Sequence, residues 1–390
     1  MKNKKILVLV IIPLFLMFLS NSIYMPNVGL IESELGDIPG FISLTITGYL
    51  VGQAVLQLFY GPLSDKYGRY KVFVPALFGF VVANILCYFA WDGLSFVIFR
   101  VLQGATISSG YILGAIILSD VVPRTVIGKY MGIFMAVPLL APPIGSFLGG
   151  FLGEYISWRA TFLFLAIIGS LSFVLITAYL PETLDETETK PRNWLEGLSM
   201  FKSLDFSAVA FLGLTLLGTY FSFNLFFSLI LDQTYQFTPL NVGIFLTLYG
   251  MVDSTSVFIG GKITDRFTPR KILLASSSVA GLGSLMFASF IGAPPYFLLI
   301  SFMVFGVGIG LGTAPFVTYI MDLSPKSRGT ALGMTNFVRL VGASMVPFGG
   351  QFVREAFSNS ILFYLSAILI FASVLFAWAV CAETEGVEYS

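Results

Sequence analysis

Three ionisable side chains stand well inside long apolar runs of this 390-residue chain: Arg100, Asp253 and Arg339. A carboxyl group alone in hydrocarbon can take up a proton and release it when its surroundings change, which is the chemistry of a proton carrier. The same spacing also allows Asp253 to be half of a structural ion pair with Arg339. Arg100 sits about six residues, or ~10 Å, inside its run. It either contacts a carried molecule or tunes a proton site, or else it snorkels outward or braces helix packing.

Other chemistry is closed by composition. No histidine occurs, so no Ser-His-Asp triad, histidine zinc site or imidazole relay can be built. No glycine loop precedes a Lys-Ser/Thr pair, so ATP hydrolysis has no support. The two cysteines, Cys87 and Cys381, fall on opposite sides of the topology below and cannot meet in a disulfide. The chain is therefore not an enzyme, and nothing in it calls for a metal or a cofactor.

The elements that must position these groups are apolar stretches. Hydrophobic residues make up 56% of the chain and charged residues only 11%, which excludes an ordinary water-soluble domain. With 21 Lys+Arg against 21 Asp+Glu there is no basic surface for nucleic acid. An α-helix needs about 20 apolar residues to cross a bilayer. Twelve such segments occur, at 6–28, 40–60, 72–90, 94–118, 129–151, 160–180, 206–231, 241–260, 271–291, 296–320, 329–352 and 359–381. Lys2, Lys4 and Lys5 precede the first in signal-peptide style, but no small-residue cleavage site follows, so it is expected to be retained. If both termini are cytoplasmic, only Arg159 and Arg354 of all the Lys and Arg fall in outer loops, the bias expected of that orientation.

The one long polar connection, 182–203, divides an N-terminal six-helix bundle, 1–181, from a C-terminal one, 204–390. The halves repeat. Gly61-Pro-Leu-Ser-Asp65-Lys66-Tyr-Gly68-Arg69 aligns with Gly261-Lys-Ile-Thr-Asp265-Arg266 at an offset of 200. Asp120-x-x-Pro-Arg aligns with Asp322-x-x-Pro-Lys at 202, and Pro181-Glu182-Thr183 with Ala382-Glu383-Thr384 at 201. All three keep one order and one membrane orientation, so the repeat is parallel, and a substrate site is expected between halves near the midplane.

At this point the chain resembles the major facilitator superfamily over nearly its whole length. Gly61-x-Leu-x-Asp65-Lys66-x-Gly68-Arg69 is similar to that superfamily's loop between helices 2 and 3. There the resemblance implies a gating latch built on Asp65 and Arg69, with Asp265 and Arg266 as the second-half counterpart. Arg100-Val-Leu-Gln103-Gly104 resembles the Arg-x-x-Gln-Gly pattern of proton-coupled members. Gly132-x8-Ala141-Pro142-Pro-Ile-Gly145-Ser146 resembles the helix-5 antiporter motif, with Ala141 and Ser146 in place of two motif glycines. Together with Tyr24-Met25-Pro26 this is most similar to the bicyclomycin/chloramphenicol type of drug:proton antiporter. That branch commonly carries an acid where this chain has Ser22, beside Asn21.

The expectation is an all-α membrane protein of twelve transmembrane helices in two six-helix repeats. By resemblance it is a proton-coupled antiporter of the inner membrane, effecting efflux of a drug or metabolite, as in multidrug resistance, with one chain sufficient. Its partners are a small-molecule substrate, protons and lipid. Asn21, Tyr24, Arg100, Gln103, Asn224, Asp253, Asn336 and Arg339 are the candidates to line the substrate or proton site. Uptake of an anionic metabolite, suggested by two intramembrane arginines against one acid, and a non-transporting sensor or scaffold are the alternatives.

Overall fold

With no water in the bilayer core to satisfy N–H and C=O groups, each apolar segment must bond its own backbone, and the helix is the local solution. The computed structural model describes residues 2–184, 194–264, 266–325 and 327–381. Among them every regular element is helical. Twelve spans result. The first runs through α1 (Lys2–Ser22) and α2 (Val28–Leu35), followed by α3 (Phe41–Tyr67) and α4 (Arg69–Tyr88). The fourth is α5 (Gly93–Ile107) with α6 (Ser109–Val121), the fifth α7 (Ile127–Ala136) with α8 (Ala141–Tyr155), and the sixth α9 (Arg159–Tyr179). The remainder are the unbroken α10 (Leu204–Tyr235), α11 (Pro239–Thr264), α12 (Pro269–Ser289), α13 (Pro295–Leu323), α14 (Arg328–Ala356) and α15 (Asn359–Val380). All except α14 are both long and apolar enough to cross a membrane by composition. That helix carries Arg339 at its middle and polar Asn336 beside it.

Two of the three breaks have a local cause. Pro26 lies in the 3₁₀ turn Met25–Asn27 and Pro138 in the 3₁₀ turn Val137–Leu140, each removing a helical donor inside an apolar segment. The chain packs as two units, one of residues 1–192 with 236–247, the other of 193–235 with 248–390.

In the first unit α1 packs on α6 and α8, while α5 lies on α3 and α4. Gly104 makes the α3–α5 approach possible, since a side chain there would strike the Tyr49 carbonyl. In the second unit an aromatic core joins α10, α12, α13 and α15. Phe223 lies 4.0 Å from Phe305 and 4.6 Å from Phe363 between ring centroids, and Phe287 4.4 Å from Phe363. The Tyr249 ring from α11 stacks on Phe302 of this core at 3.6 Å. Such pairs add about 0.5–1.5 kcal/mol each beyond area burial. Their consequence is positional, because Tyr249 is the anchor for the face of α11 that carries Asp253.

Candidate functional site

In the first unit Arg100 is fully buried, 0% exposed, so it does not snorkel. Its guanidinium carbon lies 4.1 Å from the Tyr24 ring centroid and 4.5 Å from that of Tyr49. Nη1 donates to Gln103 Oε1, one turn along α5, and at 3.5 Å to the Ser20 carbonyl near the end of α1. Gln103 Nε2 donates in turn to Asn84 Oδ1 at 2.7 Å, and Asn84 Nδ2 to the Phe80 carbonyl at 2.8 Å. The Tyr49 hydroxyl is fixed by Ser20 Oγ at 2.8 Å and by the Met17 carbonyl at 3.1 Å.

Arginine at a helix centre costs about 2.5–3.5 kcal/mol on insertion scales. Two desolvated ring contacts at about 2 kcal/mol each are enough to offset that. The hydrogen bonding is left incomplete: Arg100 Nε and Nη2 are buried without acceptors, and the Tyr24 hydroxyl is buried without a hydrogen bond. No carboxylate of the described residues pairs with Arg100. Asn21 is half-buried at the end of α1 and is not bonded to Arg100.

The second unit holds Asp253. It is half-buried, with Oδ1 inaccessible and without a hydrogen-bond partner. Tyr249 precedes it by one turn on the same face of α11, and the Tyr249 hydroxyl is likewise buried and unbonded. Across from them α10 presents Tyr220 and Asn224, also one turn apart. Tyr220 lies 6.3 Å from Tyr249 between centroids, and Asn224 Nδ2 donates to the Tyr220 carbonyl at 2.9 Å. Arg339 lies elsewhere in that unit, its guanidinium carbon 4.8 Å from the Phe316 ring centroid and its stem against Gly213. No salt bridge joins it to Asp253. Asp253 thus lies one turn from Tyr249, whose ring faces Tyr220 of α10, and its Oδ1 makes no bond to Arg339.

At one end of the first unit the loop motif closes into a network. Arg69 pairs with Asp65 one turn before it and, through Nε, with Asp120 Oδ2 of α6 at 3.2 Å. Arg69 Nη1 also donates to Ser64 Oγ at 3.0 Å. The backbone N–H groups of Arg69 and Tyr70, left without helical acceptors at the start of α4, donate to Glu182 Oε1 and Oε2 at 2.8 and 3.3 Å. A carboxylate there also meets the positive end of the helix dipole. Gly68 permits this: its φ of +103° disfavours other residues, and a side chain would collide with Glu182. Gly61 has open space around it and shows no such steric reason. In the second half Arg266 is exposed, and Asp265 lies outside the described residues.

The helix-5 motif divides in two. Gly132, on α7, has no neighbour within contact of an added side chain. Pro142 lies in the first turn of α8, where its missing N–H is harmless, and Gly145 faces Ser22 and Leu19 of α1. A side chain at Gly149 would run into the Ile23 carbonyl, where α1 breaks. Asn27 Nδ2 donates to the Gly149 carbonyl at 2.9 Å, and Ser22 Oγ to that of Ala141 at 3.4 Å. The motif therefore presses α8 onto the broken first span. Asn84 and Tyr49 were not among the residues singled out from sequence, and Glu182 was named there only as part of the repeat that ends each half. A polar Asn84 within an apolar run was the available signal, whereas nothing local marks Tyr49.

Comparison with known proteins agrees with this architecture. The sequence profile of the Major Facilitator Superfamily matches residues 10–347 and 209–388. An uncharacterized MFS-type transporter, YdgK of Bacillus subtilis, is 25% identical over 90% of this chain and 90% of its own length. Multidrug resistance protein 3 of the same organism is 24% identical over 88% of this chain and 78% of its own. Citrate exporter 1 of Aspergillus niger is 32% identical over a shorter stretch, 47% of this chain and 35% of its own. Among solved structures the D-xylose-proton symporter superposes with a TM-score of 0.81 at 14% identity, covering 98% of each chain, which is a likeness of fold. The chain belongs to the Major Facilitator Superfamily, as a multi-pass membrane secondary transporter rather than an enzyme.

Proposed function

We propose that the chain is a proton-coupled antiporter of the drug-exporting branch, moving a small organic compound out across the cytoplasmic membrane by alternating access, with both termini cytoplasmic. The observation that carries the proton part is Asp253, an acid in the membrane interior with a buried, unpaired oxygen and no basic partner among the described residues. An ion-paired carboxylate would be held in its charged state; a free one can alternate between charged and neutral. Export is supported by the tight seam of Gly145 and Gly149 against the first span. Similarity to proteins named as a multidrug resistance protein and a citrate exporter points the same way. The Arg69 network, with one arginine shared by Asp65 and Asp120, supports a latch that opens and recloses during turnover.

The test is accumulation in proteoliposomes with an acidic lumen, across a panel of drugs and organic acids. Uptake that collapses with an uncoupler and ignores nucleotide is expected. Transport driven by ATP in the absence of any ion gradient would contradict the proposal.

A further inference from the structure

We propose that Arg100 is the recognition point for a carboxylate, so that the transported compound is an organic acid whose carboxyl group is taken up by the first unit. This rests on the transport reading only in taking the buried interior of that unit to be visited by what is carried.

Two of the three guanidinium nitrogens of Arg100 are free. Arginine has five N–H donors in a rigid fork and is always charged. Nη1 is committed to Gln103 and to the Ser20 carbonyl, while Nε and Nη2 have no acceptor. By the covalent structure of a guanidinium, Nε and Nη2 share one edge, and their two N–H bonds point the same way. That edge is a bidentate fork whose spacing matches the two oxygens of a carboxylate. The free donors are thus a matched pair rather than two scattered orphans.

The surroundings fit one monovalent anion with an apolar body. Tyr24 and Tyr49 set their rings against the guanidinium, and Gln103, braced by Asn84, holds it from the far side of the fork. The Tyr24 hydroxyl, buried and unbonded, adds a third donor nearby. Rings and neutral amides offset the cost of burying the arginine but supply no net charge to answer it, and an entering anion would pair with that charge where the local dielectric is low. The position also lies beside the break between α1 and α2, where a single helix interrupts its own ladder, the place in membrane proteins at which backbone opens toward a ligand. Asp253 belongs to the other unit.

The test uses the full purified chain in lipid nanodiscs at neutral pH and no gradient, titrated with benzoate, benzamide and benzylamine, with melting temperature and calorimetric Kd as readouts. Benzoate should raise the melting temperature of the wild type, while the isosteric neutral amide and the amine should not. In Arg100→Gln the benzoate affinity should fall by about ten- to a hundredfold, the loss expected for hydrogen bonds to a charged group. Arg100→Lys should restore only part of it, because an ammonium lacks the fork. Exposed Lys129→Gln should bind as the wild type does. If Arg100→Gln fails to fold, Tyr24→Phe provides the second route, with a few-fold loss for benzoate and none in melting temperature without ligand.

Equal stabilisation by benzoate and benzamide, no stabilisation by benzoate at all, or benzoate binding undiminished in both variants would each overturn the inference. The two proposals fail separately. Proton-driven transport confined to neutral or cationic compounds would sink the carboxylate site and leave the antiporter standing, whereas benzoate binding without proton-coupled flux would do the reverse.

Discussion

At the residue scale the molecule gives two of its three interior ionisable groups, Arg100 and Asp253, different settings. Arg100 is met by rings and amides, Asp253 stands one turn from Tyr249, and neither makes a salt bridge among the described residues. Arg100 and Gln103 were legible from their spacing within one helix, as was Asp253 from its isolation. Their partners were not, because Tyr49 and Asn84 reach Arg100 and Gln103 from α3 and α4, and cross-helix pairing leaves no local pattern. The expected alternative partner for Asp253, Arg339, instead lies over Phe316. The Asp92 carboxyl caps α5 by accepting from the Ser95 N–H, with the Asp92 N–H donating back to Ser95 Oγ, and the bond from the Ser95 N–H above all holds the carboxyl below the ordinary carboxylate range. A depressed folded value means the cap's contribution is present above the ordinary Asp pKa of about 3.9 and is lost as pH falls through the lowered one. Asp92→Asn should therefore flatten the acid side of the melting-temperature curve while changing it little at pH 7, where asparagine caps equally well.

At the element scale the twelve spans were legible because hydrocarbon thickness sets their length, and their boundaries follow the polar loops. The breaks after Ser22 and Ala136 were less so, since Pro26 and Pro138 sit in segments whose composition stays apolar throughout. The antiporter motif gives a sharp test of packing. Gly149→Val should lower the melting temperature, at a cost of about 1–3 kcal/mol for overpacking, because its side chain meets the Ile23 backbone. Gly132→Val, with open space around it, should leave the melting temperature near that of the wild type. Equal effects would mean that the α1–α8 seam is looser than it stands here. The loop network makes a different prediction. Asp65→Ala and Arg69→Ala should slow turnover far more than they reduce folded yield, as should Glu182→Gln to a smaller degree, since it weakens the cap on α4 by only about 0.3–1 kcal/mol. Stopped-flow transport alongside folded yield checks this, and normal turnover in Arg69→Ala would remove the latch.

At the scale of the whole molecule the internal repeat at offsets near 200 positions announced two bundles, and the superfamily profile matches both halves. What pattern alone did not show is that residues 236–247, at the start of α11, pack with the first unit, because a repeat marks homology and not contact. The orientation proposed from lysine and arginine placement is open to direct labelling. With Cys87 and Cys381 buried, a cysteine at Lys66 should react with an impermeant maleimide only from the cytoplasmic side, and one at exposed Trp91 only from outside. The reverse pattern would invert the topology.

The central claim is that Asp253 carries the exchanged proton. Its most direct test is proton release from the purified chain when a transported compound binds, followed in weakly buffered solution for the wild type and Asp253→Asn. The account predicts release on binding in the wild type and none in the variant, with the variant still folded. Unchanged release in Asp253→Asn, or proton uptake on binding, would contradict it.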